Sequence, residues 1–180
     1  MNEPLKYKKR ETWGEFGHSH SFTFSTFRRR PYLLDDRVCE ALAKRINEAA
    51  LTHRFVVLAY VFMPEHVHIL IHPMKYPYDI PAILKSIKQG PSLKAKNKGW
   101  IPTRLWEPGG GHDRNIFREQ TRSHVIRYIH RNPTKRKLVE EMIDYRWSSA
   151  RWFLTGDEGE VDCRFFSSLD GDTMEINEQP

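Results

Sequence analysis

Two histidines separated by one residue, His66 and His68, are the pair in this sequence best suited to bind a metal ion. They lie in the segment HVHILIH (66–72), whose apolar and β-branched residues predict a β-strand. Successive strand residues point to opposite faces, so both imidazoles share one face while Val67 packs on the other. Taken alone, the pair is equally typical of exposed or internally hydrogen-bonded histidines, because the H-x-H pattern also arises by chance.

A tyrosine on a predicted helix supplies a candidate nucleophile. The segment TRSHVIRYIHRN (121–132) predicts a helix, in which residues four apart share a face. This spacing aligns His124, Tyr128 and Asn132, and the Asn132 amide oxygen is a potential metal ligand. The alternative for Tyr128 is an ordinary amphipathic tyrosine whose ring is buried and whose hydroxyl is hydrated.

The two features together indicate phosphodiester chemistry. A divalent cation held by His66, His68 and Asn132 can polarise a phosphate, and the Tyr128 hydroxyl can attack it to form a covalent phosphotyrosine. Guanidinium groups suit phosphate oxygens, although for several arginines plain solvated charge is the alternative. The candidate DNA-contacting residues are Arg28, Arg29, Arg30, His112, Arg114, Arg118, Arg122, Arg127 and Arg131.

The charge of the chain is unevenly distributed along its 180 residues. The total is +6, but residues 155–180 contain eight acids and one arginine, so residues 1–154 carry +13. A basic body of this size favours a polyanionic partner, with nucleic acid first in line, although solubility alone is the alternative explanation. We expect residues 1–154 to form a single domain that starts with a loose arm (1–12), and residues 155–180 to form a flexible acidic tail.

The composition argues against a secreted or membrane protein. Hydrophobic residues make up 39% of the chain, and no run approaches the roughly 18–20 apolar residues of a membrane span. The N-terminus reads MNEPLKYKKR, which lacks the apolar stretch of a secretory signal. Two isolated cysteines, Cys39 and Cys163, suit a reducing compartment. The expected location is therefore cytoplasmic.

Hydrophobic periodicity predicts an alternation of strands and helices. The predicted strands cover residues 20–27, 55–63 and 66–72, with two further short strands around 103–106 and 114–117. The predicted helices cover 35–53, 78–97 with a kink at Gly90-Pro91, 119–131 ending near Pro133, and a shorter one over 135–142. The aromatic segment 145–149 is expected to be an ordered clasp. This order indicates an α+β, ferredoxin-like (split βαβ) fold, with an antiparallel sheet and helices packed on one side.

Several of these motifs resemble a known family. The segments FMPEHVHILI (62–71), RYIHRNPTKRKLV (127–139) and YRWSSA (145–150) resemble those of the REP-associated tyrosine transposases, which are single-tyrosine HUH transposases of the insertion-sequence-200-like group. The resemblance covers about residues 22–152. It departs from the common pattern at Glu107, where many relatives have Gln, and at His112, where many have an aromatic residue before the aspartate.

The resemblance implies the HUH endonuclease type of fold and a Mg²⁺ or Mn²⁺ site with His66, His68 and Asn132 as ligands. It implies Tyr128 as the nucleophile in cleavage and rejoining of single-stranded DNA beside hairpins, through a 5′-phosphotyrosine. Imidazole pairs suit transition metals better than Mg²⁺, so Mn²⁺ is the ion to test first. The wider family includes monomers and dimers, so a homodimer is one expectation.

Two other functions stay open at this point. The first is a non-catalytic protein that binds DNA hairpins and has a vestigial nuclease site. The second is a small zinc hydrolase that uses His66, His68 and a third histidine, with Glu65 as its base. The sequence has no H-x-x-x-H helix that would support the second.

Overall fold

A computed structural model describes residues 17–109 and 111–165, together with the backbone of residues 175–176. The predicted arm, residues 1–12, lies outside the described residues. The strands are β1 (Ser19–Ser25), β2 (Phe55–Met63), β3 (His66–Pro73), β4 (Lys75–Tyr76), β5 (His112–Ile116) and β6 (Glu175–Ile176). The α-helices are α1 (Asp36–His53), α2 (Ile80–Asn97), α3 (Glu119–Lys135) and α4 (Ala150–Thr155). In the part of the chain described, no helix combines the length and apolar character needed to span a bilayer.

Four strands form the main sheet in the order β2-β3-β1-β5, and every neighbouring pair is antiparallel. This arrangement confirms the predicted α+β class with an antiparallel sheet. A register shift between Val57 and Ala59 interrupts the pairing of β2 with β3. Because of this irregularity, Val57 and Tyr60 both belong to the larger core although they differ by an odd number of positions.

The helices differ from the expected one-sided arrangement, because they cover both faces of the sheet. α1 and α2 share the larger core with Val67, Ile69 and Ile71 of β3. α3 covers the opposite face, where its Ile129 shares a second core with Leu70 of β3. The physical reason is the apolar character of β2 and β3, whose residues are buried on both faces and require cover on each side.

The predicted clasp, residues 145–149, is ordered along β2. The Tyr145 hydroxyl donates a hydrogen bond to the Phe62 carbonyl oxygen (2.9 Å), and the Phe62 N–H donates to the Trp147 carbonyl (2.8 Å). The Ser149 hydroxyl oxygen accepts the Tyr60 N–H (2.9 Å). Among the described strands, only β3 pairs with β2 in the sheet. The bonds from the clasp satisfy backbone groups on the other side of β2 and so protect an exposed edge.

The first part of the predicted flexible tail is packed against the domain. The Arg164 N–H donates to the Val57 carbonyl (2.9 Å), Val161 is buried, and Glu160 pairs with Arg146 (2.8 Å). The prediction of a flexible tail rested on its charge, which does not reveal that the edge of β2 offers hydrogen-bond partners to this segment. The predicted short helix over 135–142 is wrong, since α3 runs to Lys135 and the next helical element is a 3-10 turn at Met142–Asp144. The predicted short strand around 103–106 is also wrong, since this segment contributes an isolated bridge between Trp106 and Thr26 instead of a strand.

Candidate active site

The two histidines of β3 meet at their outer ring nitrogens. His66 Nε2 and His68 Nε2 lie 3.1 Å apart, and the ring planes are nearly perpendicular. Both side chains are buried on the sheet face that α3 covers, while Val67 between them packs into the opposite core. The strand therefore directs two nitrogen atoms at one point, as the period of two predicts.

The Nδ1 atom of each histidine contacts the side chain of a second residue. His66 Nδ1 lies 3.2 Å from a Glu65 carboxylate oxygen, and His68 Nδ1 lies 2.7 Å from the Thr23 hydroxyl oxygen. In the tautomer that carries its proton on Nδ1, each ring donates to its partner and keeps the Nε2 lone pair free. Partners of this kind fix the orientation of metal-binding imidazoles, so Glu65 and Thr23 complete the histidine pair.

Burial keeps both imidazoles neutral. Desolvation, with a smaller contribution from the neighbouring His66, lowers the pKa of His68 to about 4. Desolvation also lowers the pKa of His66, although Glu65 partly opposes this effect. Neutral imidazole is the form that binds a metal ion, so the site is ready at neutral pH without proton release.

Tyr128 of α3 lies directly against this pair. Its ring centroid is 5.3 Å from that of His68 with the rings edge to face, and the side chain remains 48% exposed. Ile129 is buried and Val125 is partly buried in the core below, so the helix is fixed while the tyrosine faces outward. The structure thus brings together the two features that the sequence places 60 residues apart.

Asn132 is buried one turn after Tyr128 and contacts the backbone of α3. Its Nδ2 donates to the Tyr128 carbonyl (2.7 Å) and lies 3.5 Å from the Ile129 carbonyl. Pro133 has no N–H to give that second carbonyl, so the amide compensates in part and the helix continues to Lys135. This continuation corrects the predicted helix end near Pro133 and gives Asn132 a role in the helix besides the predicted metal ligation.

The donor set fits a divalent cation. Among the described residues, no group of three or more His, Cys, Asp or Glu side chains could hold a metal. Two neutral imidazole nitrogens 3.1 Å apart can share one ion, and the Asn132 amide oxygen is the candidate third ligand.

The face of β1 and β5 next to the histidines is polar. Thr23 pairs with His112 across the two strands, and Ser21 pairs with Arg114, so these four side chains share the face that carries His68. All four are at least partly exposed. The polar positions of β1 therefore form an open surface that leads to the histidines, whereas its phenylalanines face the core.

The other predicted DNA-contacting residues are exposed, with the exception of Arg122. Arg28, Arg29 and Arg30 are exposed in the turn after β1, and Arg118, Arg127 and Arg131 are exposed at the start and along the outer side of α3. Arg122 differs, because α3 directs it inward and its residue is 5% exposed. As a buried group it is not positioned for the surface phosphate contact that was predicted.

Sequence reasoning missed three supporting residues: Thr23, Glu65 as the partner of His66, and Arg136. Arg136 donates to the Glu65 carboxylate at 2.8 Å. Alternation along β1 could have placed Thr23 on the histidine face, but its pairing with His68 depends on the order of strands. The contact of Arg136 depends on the docking of α3, for which the sequence carries no local signal.

The glycine loop after Trp106 packs against the strand that supports His68. Gly111 has a φ of +81°, and a Cβ atom there would lie 2.5 Å from the Thr23 carbonyl oxygen. The Glu107 carboxylate accepts the Arg28 N–H (2.7 Å), and Lys88 donates to the Gly109 carbonyl (3.0 Å). The side chain of Glu107, which departs from the family pattern, thus accepts a hydrogen bond from the backbone of the turn after β1. The close approach of position 111 to β1 requires glycine.

Residues 15–132 match the family model described as "Transposase IS200 like". The chain belongs to the IS200-like transposase family.

Two solved structures are similar to this chain. One is described as a REP-associated tyrosine transposase bound to a REP hairpin. It matches 88% of this chain and 92% of its own at 21% identity and a TM-score of 0.70, which shows a shared fold. A putative transposase from Deinococcus radiodurans R1 matches 68% of this chain and 95% of its own, at 23% identity and a TM-score of 0.45. The comparison with curated proteins finds no match.

We predict that Gly111→Ala lowers the free energy of unfolding by at least about 2 kcal/mol, because strain from the positive φ adds to overpacking against Thr23. Gly109→Ala is the matched control. Its φ is also positive (+96°), but no atom lies within 4 Å of the added Cβ, so we expect a loss of about 1 kcal/mol. Urea titration measures both, and equal losses would show that the contact with Thr23 is unimportant.

Proposed function

We propose that this chain is a REP-associated type of tyrosine transposase, which cleaves and rejoins single-stranded DNA beside hairpins through a covalent 5′-phosphotyrosine. The observation that carries the proposal is the meeting of Tyr128 with His68, whose Nε2 converges with that of His66. A nucleophile beside a ready metal site is what phosphodiester cleavage at neutral pH requires. Both parts lie within one chain, so the proposal does not need a tyrosine from the partner in a homodimer.

The proposed reaction exchanges one phosphodiester for another. The Tyr128 hydroxyl loses its proton and its oxygen forms a bond to phosphorus. The bond from phosphorus to the 3′ oxygen breaks, and the released 3′ oxygen takes up a proton, so protons balance. The reverse attack by a 3′ hydroxyl on the phosphotyrosine rejoins a strand and frees Tyr128. Because the number of phosphoester bonds is conserved, the exchange needs no ATP.

His66, His68 and Asn132 would hold the divalent cation in this proposal. When bound, the cation neutralises charge on the phosphate. The imidazole pair favours Mn²⁺ over Mg²⁺, since nitrogen ligands suit the transition metal better. Glu65 and Thr23 keep the two rings in place, so ligand orientation does not depend on the substrate.

A single DNA strand fits the surface beside this site. The open face of β1 and β5 carries His112 and Arg114, and exposed arginines flank it in the turn after β1 and on α3. Their charge suits a phosphate backbone. The hairpin bound to the structural relative supports the same class of ligand here.

We predict that Tyr128→Phe abolishes a denaturant-resistant adduct with a labelled hairpin oligonucleotide in the presence of Mn²⁺, because phenylalanine lacks the attacking oxygen. The adduct is measured by denaturing gel electrophoresis and located by peptide mass spectrometry. Tyr76→Phe is the control, since this tyrosine lies on β4 and is also exposed, and it should form the adduct normally. Tight binding without an adduct in the wild-type protein would instead identify a hairpin-binding protein with a vestigial site.

We predict that Asn132→Ala weakens Mn²⁺ affinity about tenfold, as loss of a ligand or of its support does. Isothermal titration calorimetry without DNA measures this affinity. Thr134→Ala is the matched control, because it also removes a side-chain hydrogen bond to an α3 carbonyl (3.1 Å to Arg131) but no candidate ligand. Equal Mn²⁺ affinity in all three proteins would limit Asn132 to its role in the helix.

A further inference from the structure

Two arginines from separate elements converge on one carboxylate oxygen beside the histidine pair. Glu65 Oε1 accepts hydrogen bonds from Arg136 Nη1 (2.8 Å) and Arg29 Nη2 (3.3 Å), and it also lies 3.2 Å from His66 Nδ1. Arg29 comes from the turn after β1, whereas Arg136 follows the last residue of α3. One carboxylate thus joins a metal-ligand candidate to two cations.

The exposure of these groups leaves the cations open to a ligand. The Glu65 side chain is 10% exposed, but those of Arg29 and Arg136 are 64% and 49% exposed. A guanidinium has five N–H donors in a planar fork, and each arginine uses one nitrogen on Glu65. Two positive charges face one negative charge, so the cluster keeps an excess of positive charge that suits an anion.

The turn that carries Arg29 is held in an unfavourable backbone conformation. Arg28 and Arg29 have φ values of 52° and 51°, in the left-handed region that side chains with a Cβ rarely adopt. The Thr26 hydroxyl donates to the Arg30 carbonyl (2.5 Å), and Glu107 accepts the Arg28 N–H. Strain of about 1–3 kcal/mol per residue persists only where surrounding contacts impose it, and it concentrates at functional sites.

The same turn is attached to the strand end that bears the histidines. The Glu65 carbonyl accepts the Thr26 N–H at 3.0 Å, so the backbone as well as the side chain of Glu65 holds this segment. On the other side, Lys135 Nζ lies 5.7 Å from the centre of the Tyr128 ring, immediately before Arg136. Positive charge therefore borders the candidate site next to both His66 and Tyr128.

We infer that Arg29 and Arg136, oriented by Glu65, bind one backbone phosphate of the DNA strand and so fix its position relative to Tyr128. Glu65 is a positioning residue, because it acts through the two arginines and His66. Paired guanidinium forks recognise the tetrahedral oxygens of a phosphate better than single ammonium groups do. This inference rests on the proposed function, since its ligand is the strand on which the transposase acts.

The test is a coupling experiment between protein and DNA in the absence of metal. Single methylphosphonate groups replace each phosphate in turn in an oligonucleotide hairpin with single-stranded flanks. Fluorescence anisotropy then measures binding to the Tyr128→Phe protein with a chelator present, so cleavage does not interfere. We expect neutralisation of one flank phosphate to weaken binding about tenfold, as loss of a charge-assisted hydrogen-bonded pair does.

Arginine variants in the same background identify the phosphate's partner. With Arg29→Ala or Arg136→Ala, the same methylphosphonate should weaken binding less than about twofold, because coupled partners are not additive. Arg136→Lys should give an intermediate loss, since it keeps charge without the fork. Lys98→Ala, which removes an exposed cation at the end of α2, should leave the tenfold effect intact.

The outcomes separate this inference from the proposed function. If the losses of binding from each methylphosphonate and from each arginine variant simply add at every phosphate, the phosphate site is overturned while DNA binding stands. Coupling without adduct formation by the wild-type protein would support the phosphate site and overturn the strand-transfer proposal. A failure of every oligonucleotide to bind would overturn both.

Discussion

The docking of α3 on the histidine face of β3 is the interaction on which the candidate site depends. Ile129 is fully buried against a core that includes Leu70, and burial of such a side chain contributes roughly 2–3 kcal/mol. Tyr128 directly precedes Ile129 and lies on the outer side of α3. The packing that fixes the helix therefore also places the tyrosine beside His68. Fold stability and site geometry therefore have the same origin.

A chain of polar contacts then orients the groups that the packing brings together. Glu65 connects His66 to Arg29 and Arg136, and Thr23 connects His68 to the central strand β1. Burial would by itself raise the pKa of the Glu65 carboxyl, but the hydrogen bond from Arg136, the positive charge of Arg136 and the hydrogen bond from His66 outweigh it and hold that pKa below its usual value. The carboxylate thus stays charged where its three donors need it.

Much of this could be predicted from local patterns, and the rest depends on tertiary contacts. The period of two places His66 and His68 on one face, and the continuous apolar run of β2 predicts a buried strand. The same apolar run also implies that other elements cover both faces of β2. The sequence does not reveal which helix lies on which face. The inward direction of Arg122 was missed for the same reason, because neighbouring elements decide it. The continuation of α3 through Pro133 was missed because it depends on the Asn132 side chain, which bonds to the backbone of its own helix.

In the proposed function, His66 Nε2 and His68 Nε2 hold one metal ion beside Tyr128. The most direct measurement is anomalous diffraction from crystals of the protein grown with Mn²⁺, recorded near the manganese absorption edge. We expect one strong peak in contact with both Nε2 atoms and next to the Tyr128 ring. A well-ordered histidine pair with no peak between its Nε2 atoms, or a peak bound by other residues, would contradict it.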